Sequence, residues 1–224
     1  MIVYRILCVV IGYLFGIFQT GYIYGRLNNV DIRDFGSGNA GTTNAMRVLG
    51  KKAGIITYVG DMLKALLAGL AIRAIFGLIL DCSQVEVFML VIYAGVGVIL
   101  GHNYPFYMGF KGGKGIAASS GVVISLFDLK LLVLAISTFI VVALISKYVS
   151  LASMCMMIGF FVEFVIFNQL GKLKPLSGTK YTLEAYILVF FMAALAVFKH
   201  RSNIVRLVNG TERKIGQKKE GQVG

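Results

Sequence analysis

Acidic side chains are scarce in this chain: ten Asp and Glu stand against 22 Lys and Arg, and only 14% of the 224 residues are charged. The glycine-rich loops of the chain lack the acidic metal ligands that phosphotransfer normally needs, and no pair of acids is spaced to flank a cleft. Cysteine is nearly as sparse. Cys8, Cys82 and Cys155 lie in or beside apolar runs without metal-ligand spacing, so they read as small packing residues. Neither a bound metal nor a disulfide framework is expected. A Gly-x-Ser-x-Gly nucleophile elbow is missing. So is a histidine followed five residues later by aspartate, because Tyr107 stands at that distance from His102 and Val205 from His200. A reaction carried out here therefore leans on positioning and charge stabilisation, without a cofactor and without a covalent enzyme intermediate.

What the sequence has in abundance is apolar length. Hydrophobic residues make up 58% of it and mean hydropathy is +0.82, more than a soluble core could bury. Seven runs are expected to cross about 30 Å of hydrocarbon as helices, over residues 3–24, 53–80, 85–100, 115–126, 129–145, 149–170 and 181–198. The fourth is short and carries Ser119, Ser120 and Ser125. The first follows Arg5 as a signal peptide would, but it is long and no small-x-small cleavage site precedes Leu27, so it is expected to remain in the mature protein. The expectation is an all-α integral membrane protein of about seven transmembrane helices. One polytopic domain would cover residues 1–210, and a polar tail over 211–224, rich in Lys, Gln and Gly, is expected to be disordered.

Seven crossings put the termini on opposite sides. With the N-terminus outside, the cytoplasmic segments 25–52, 101–114, 146–148 and 199–224 hold 15 of the 22 Lys and Arg. The outside segments hold five, of which Lys172, Lys174 and Lys180 run against the positive-inside rule. The C-terminus and all the long polar segments are thus expected on the cytoplasmic face. The net charge of +12 could suggest nucleic acid, but the cations sit in short loops between apolar runs and no nucleic-acid module is visible. Attraction to membrane lipids accounts for most of the excess.

Two glycine-rich basic loops carry the chemistry. In the first, Gly36, Gly38 and Gly41 let backbone approach an anion, while Ser37, Thr42, Thr43 and Asn44 supply side-chain donors. Arg47 follows Thr43 by one helical turn and can point its planar fork back toward phosphate oxygens. In the second, His102-Asn103-Tyr104-Pro105 leads into Gly109-Phe110-Lys111-Gly112-Gly113-Lys114-Gly115. A nucleotide P-loop needs glycine five residues before Gly113, where Met108 stands, so ATP binding is not supported. Glycines and lysines at a helix N-terminus still suit an anion. A third cluster follows the last apolar run, where His200, Asn203 and Arg206 are three apart and share one side of a continuing helix. Asp61 and Lys64 lie inside the second run at i and i+3, read as an ion pair supporting the neighbouring site; Arg73 has no partner visible in the sequence.

Taken together these clusters resemble the motifs of the bacterial acyl-phosphate:glycerol-3-phosphate acyltransferases, small polytopic membrane enzymes. The first motif is Gly36-Ser37-Gly38-Asn39 with Gly41, Thr43-Asn44 and Arg47; the second runs from Gly101-His102-Asn103 to Lys114-Gly115; the third runs from His200-Arg201 through Asn203 and Arg206 to Gly210-Thr211-Glu212. The resemblance implies a monomer in the bacterial inner membrane that transfers a fatty acyl group from acyl phosphate to the 1-hydroxyl of sn-glycerol 3-phosphate. Lysophosphatidate and phosphate would be the products, with no metal or coenzyme A thioester. It implies catalytic roles for Ser37, Arg47, Lys114, His200 and Asn203, the last two orienting the glycerol hydroxyl. Substrate binding is expected of Gly38, Asn39, Gly41, Thr43, Asn44, His102, Asn103, Lys111, Gly112, Gly113, Arg201 and Arg206. The competing class is an organic-phosphate transporter, which would need polar groups through the full membrane thickness, whereas those in this chain gather at one face.

Overall fold

The computed structural model describes residues 1–217, and every described element is helical. In order these are α1 (Ile2–Gly16), α2 (Thr20–Leu27), α3 (Thr42–Ile72), α4 (Gln84–Asn103), α5 (Ile116–Ser125), α6 (Leu129–Ser146), α7 (Val149–Gln169), α8 (Thr182–Lys199) and α9 (Arg201–Val208), with short 3₁₀ turns at Ile32–Asp34 and Phe106–Met108. Six helices or helix pairs are long and apolar enough to cross a membrane. The fourth expected crossing is the exception. It forms α5, ten residues long, or about 15 Å at 1.5 Å per residue, half a hydrocarbon core.

Two other expected spans are broken. The first splits between α1 and α2 around residues 17–19. The second is preceded by a separate helical piece, residues 42–49, which Gly50 (φ 85°) sets off from the rest of α3, so the span itself begins close to the expected residue 53. The same span ends in a wide turn of π-helix, Arg73–Ile79, in which Arg73 donates to the Ser125 carbonyl at 2.9 Å. That guanidinium, stacked over the Phe127 ring, gives the short α5 a polar partner where its backbone ends.

α4 is the central helix, buried nearly all round from Val87 to Ile99. Lipid offers no hydrophobic drive for helices to associate, so contact depends on close packing and small residues at the seam. Gly12 and Gly16 of α1 face Gly97 and Gly101 of α4, and a Cβ on any of the four would run into a backbone carbonyl oxygen of the other helix. Gly121 of α5 meets the Met62 carbonyl of α3 in the same way. Gly97→Leu is expected to cost about 3 kcal/mol or more, as overpacking against backbone that cannot yield, and to abolish recovery of monodisperse protein in detergent. Leu14, Leu67, Ile140, Leu144 and Ile166 point outward, where lipid covers them.

Residues 218–224 of the expected disordered tail lie outside the described residues. Earlier in that tail the chain is packed: Glu212 is buried, and the Ile215 amide donates to the Lys147 carbonyl at 2.8 Å.

Candidate active site

The first loop is folded by its own asparagines. Asn44 donates to the Ile32 carbonyl (2.7 Å) and the Phe35 carbonyl (3.1 Å) and accepts from the Ser37 amide (2.8 Å). Its amide is thus occupied with the backbone, although it borders the cavity. Gly36, at φ 65°, is the residue a Cβ would drive into the Asn44 oxygen. Asn39 accepts from the Gly41 amide and reaches the Gly112 carbonyl, tying the first loop to the second. Gly41 caps α3 without a side-chain bond, leaving first-turn N–H groups open toward the cavity. Ser37, Thr43 and Arg47 line the same space, and among the described residues Arg47 has no carboxylate partner.

The second loop is clamped to the end of α4. The Gly113 amide donates to the His102 carbonyl (3.0 Å) and the Gly112 amide to the Asn103 carbonyl (3.2 Å), which also accepts from Lys199 (3.1 Å). A Cβ on Gly112 would strike the His102 carbonyl and one on Gly113 the His102 ring, so these two glycines pack the loop. Gly115, at φ 84°, caps α5 and points its open N-terminus at the cavity. Lys114 enters the cavity and donates to Asn203 Oδ1. Lys111 is exposed and Asn103 fully buried, and neither lines the cavity.

The third cluster completes the cavity wall. His200 caps α8, with Nδ1 2.7 Å from the Ala196 carbonyl. A carbonyl only accepts, so Nδ1 carries the proton and Nε2 keeps a free lone pair. Burial, reinforced by the Lys114 charge, pushes the imidazole down to about 4. Asn203 donates to Glu212 Oε1 (2.7 Å), Arg206 to Oε2 (2.6 Å) and Ser150 to Oε1 (2.8 Å). Burial alone would raise the Glu212 carboxyl, but these three donors outweigh it and hold it below its ordinary value. Lys114 is pushed down to about 8 by burial first, then by Arg206 and Arg47.

The three loops enclose one cavity of about 230 Å³. Its polar end carries Ser37, Asn39, Thr43, Arg47, Lys114, His200, Asn203 and Arg206; its apolar end runs along Ile116, Ala117, Ile136, Phe139 and Met156 of α5, α6 and α7. A neighbouring depression adds Lys199 and Arg201. Such a space suits a molecule with an anionic head and a hydrocarbon tail.

The family model for glycerol-3-phosphate acyltransferase matches residues 6–210. The chain belongs to that family. Its similarity to the glycerol-3-phosphate acyltransferase of Clostridioides difficile is 40% identity over 216 residues, 96% of this chain and 97% of the other. With that of a Thermoanaerobacter species it shares 38% identity over 97% of this chain and 98% of the other. Among solved structures it resembles the crystal structure of PlsY, an integral membrane glycerol 3-phosphate acyltransferase, in its glycerol 3-phosphate form: 31% identity, TM-score 0.78, covering 95% of this chain and 96% of that one. The lysophosphatidic acid form gives a TM-score of 0.76 at 30% identity.

The protein is thus a multi-pass membrane acyltransferase, and the expected family and helical membrane fold are borne out. Membership weighs against the transporter reading. Beyond the residues assigned from the sequence, this acyltransferase's cavity is lined by Tyr58, Ser120, Ser150, Ser153 and Arg213, and by Glu212, which the sequence placed in the third motif without a role in the site. Glu212 had a signal, as an acid directly after Asn209-Gly210-Thr211 in a segment dominated by cations. The serines of α7 look like any small residue of a membrane helix.

Proposed function

We propose that the chain transfers a fatty acyl group from acyl phosphate to the 1-hydroxyl of sn-glycerol 3-phosphate, releasing lysophosphatidate and phosphate. The observation that carries this reading is the single cavity with cations at one end and hydrocarbon at the other. Acyl phosphate is already an activated anhydride, so alignment and neutralisation of two anions suffice. Arg47, Lys114 and the open N-termini of α3 and α5 face the phosphates. Asn203, steadied by Glu212, and the free Nε2 of His200 hold the attacking hydroxyl. The glycerol oxygen bonds to the acyl carbon as the bond from that carbon to the phosphate oxygen breaks, and a phosphate oxygen takes the hydroxyl proton.

The charge distribution favours a site on the cytoplasmic face of the bacterial inner membrane, and a cavity lined by residues of one chain is compatible with a working monomer. Purified protein given glycerol 3-phosphate is expected to make lysophosphatidate with acyl phosphate, undiminished by a chelator, and none with acyl-coenzyme A. Strict dependence on the thioester, or loss of product with the chelator, would sink the assignment of the donor.

A further inference from the structure

Lys64 lies within the membrane-spanning part of α3, and its side chain is 5% exposed. An ammonium has three protons and no lone pair. All three are spent: on Asp61 Oδ1 (2.9 Å), on the Phe18 carbonyl left free by the break between α1 and α2 (2.6 Å), and on His102 Nδ1 (2.9 Å). His102, 2% exposed, must therefore accept at Nδ1, and a neutral ring that accepts there carries its proton on Nε2. Nε2 lies against Gly113, one residue before Lys114, and has no hydrogen-bond partner among the described residues. His102 also lines the cavity. His200 is fixed the other way, with its proton on Nδ1 against the Ala196 carbonyl and Nε2 bare.

We propose that the two histidines are locked in opposite neutral tautomers, so that the cavity holds one N–H donor, His102 Nε2, and one acceptor, His200 Nε2. The donor serves an oxygen of the acyl donor, carbonyl or phosphoryl, while the acceptor takes the glycerol hydroxyl. Lys64 is a positioning residue: it sets which nitrogen of His102 holds the proton. This use of the pair rests on the acyl-transfer reading; the tautomers themselves do not, and they can be measured without substrate.

The chain has only two histidines, so ring-¹⁵N-histidine labelling yields two residues' signals, assigned by His102→Gln and His200→Gln. At neutral pH the expected spectrum has one ring protonated at Nε2 with bare Nδ1, lost in His102→Gln, and one ring of the reverse pattern, lost in His200→Gln. Lys64→Met should convert the first ring to a tautomer mixture and leave the second unchanged. Both rings of one tautomer, a proton on Nδ1 of His102, or a spectrum indifferent to Lys64→Met would overturn the proposal. If Lys64→Met fails to fold, the unmodified protein's spectrum still decides. In turnover, His102→Leu is expected to lose roughly 100-fold, as for one aimed donor, and His102→Gln, which keeps an N–H, about tenfold. Equal losses in the two variants would remove His102 from contact with substrate, whatever its tautomer.

Discussion

Arg47→Ala and Lys114→Ala are each expected to lower turnover by at least roughly 100-fold, the scale of removing one charge aimed at a developing anion. The two cations reach the cavity from separate loops, Arg47 from the first piece of α3 and Lys114 from the segment before α5. Among the described residues Arg47 has no carboxylate to satisfy, so its charge is available to substrate, and its loss should leave membrane insertion intact. Arg47→Lys should also be poor, since an ammonium cannot reproduce a bidentate fork. Lys114 adds a pH signature. Its pKa is depressed to about 8, so the ammonium is intact below that value and is lost as pH rises through it. The profile of kcat/KM for the free enzyme should fall on a basic limb near 8, and Lys114→Arg should move that limb upward. Near-normal turnover in both alanine variants would place the phosphates elsewhere.

His200→Gln is expected to retain part of the turnover, losing less than the roughly 100-fold that removal of a general base costs. The ring is neutral above about 4, because burial and Lys114 oppose its charging, and it gains a proton only as pH falls through that value. A base that weak holds a hydroxyl well and keeps a proton badly. The proton therefore goes to a phosphate oxygen of the donor, whose pKa lies near neutrality. Between about pH 5 and 7 the shape of the pH–rate profile should be the same in His200→Gln as in the unmodified enzyme. An acidic limb near 6.5, the ordinary histidine value, that disappears with the substitution would make His200 the base. The acyltransferase assignment would survive that outcome.

Much of the candidate site was legible because phosphate chemistry has a local vocabulary. Glycines beside hydroxyls and an arginine one turn on mark an anion site within a dozen residues, and Ser37, Thr43, Arg47, Lys114, His200, Asn203 and Arg206 do border one cavity. The motif residues whose part in it differs are those whose partners are remote in sequence. Asn44 spends its amide on Ile32, Phe35 and Ser37; Gly112 and Gly113 pack against the end of α4; Lys111 stays outside. A motif names a residue's type but not whether the backbone claims it first.

Apolar length and composition by themselves determined that this protein is helical and lies in a membrane, since only a helix satisfies its own backbone within a segment of about 20 residues. The Asp61–Lys64 pair followed too, from the cost of a lone charge at that depth. The tertiary structure alone decided that the pair closes on His102 and on the break after α1, that Arg73 finds the end of α5, and that Glu212 folds back onto Asn203, Arg206 and Ser150. Each of these bonds joins segments separated by a turn, a break or a whole bundle. What brings them within 3 Å is close helix packing at glycines such as Gly12, Gly97 and Gly121, where the fit depends on two surfaces meeting and not on either sequence read alone.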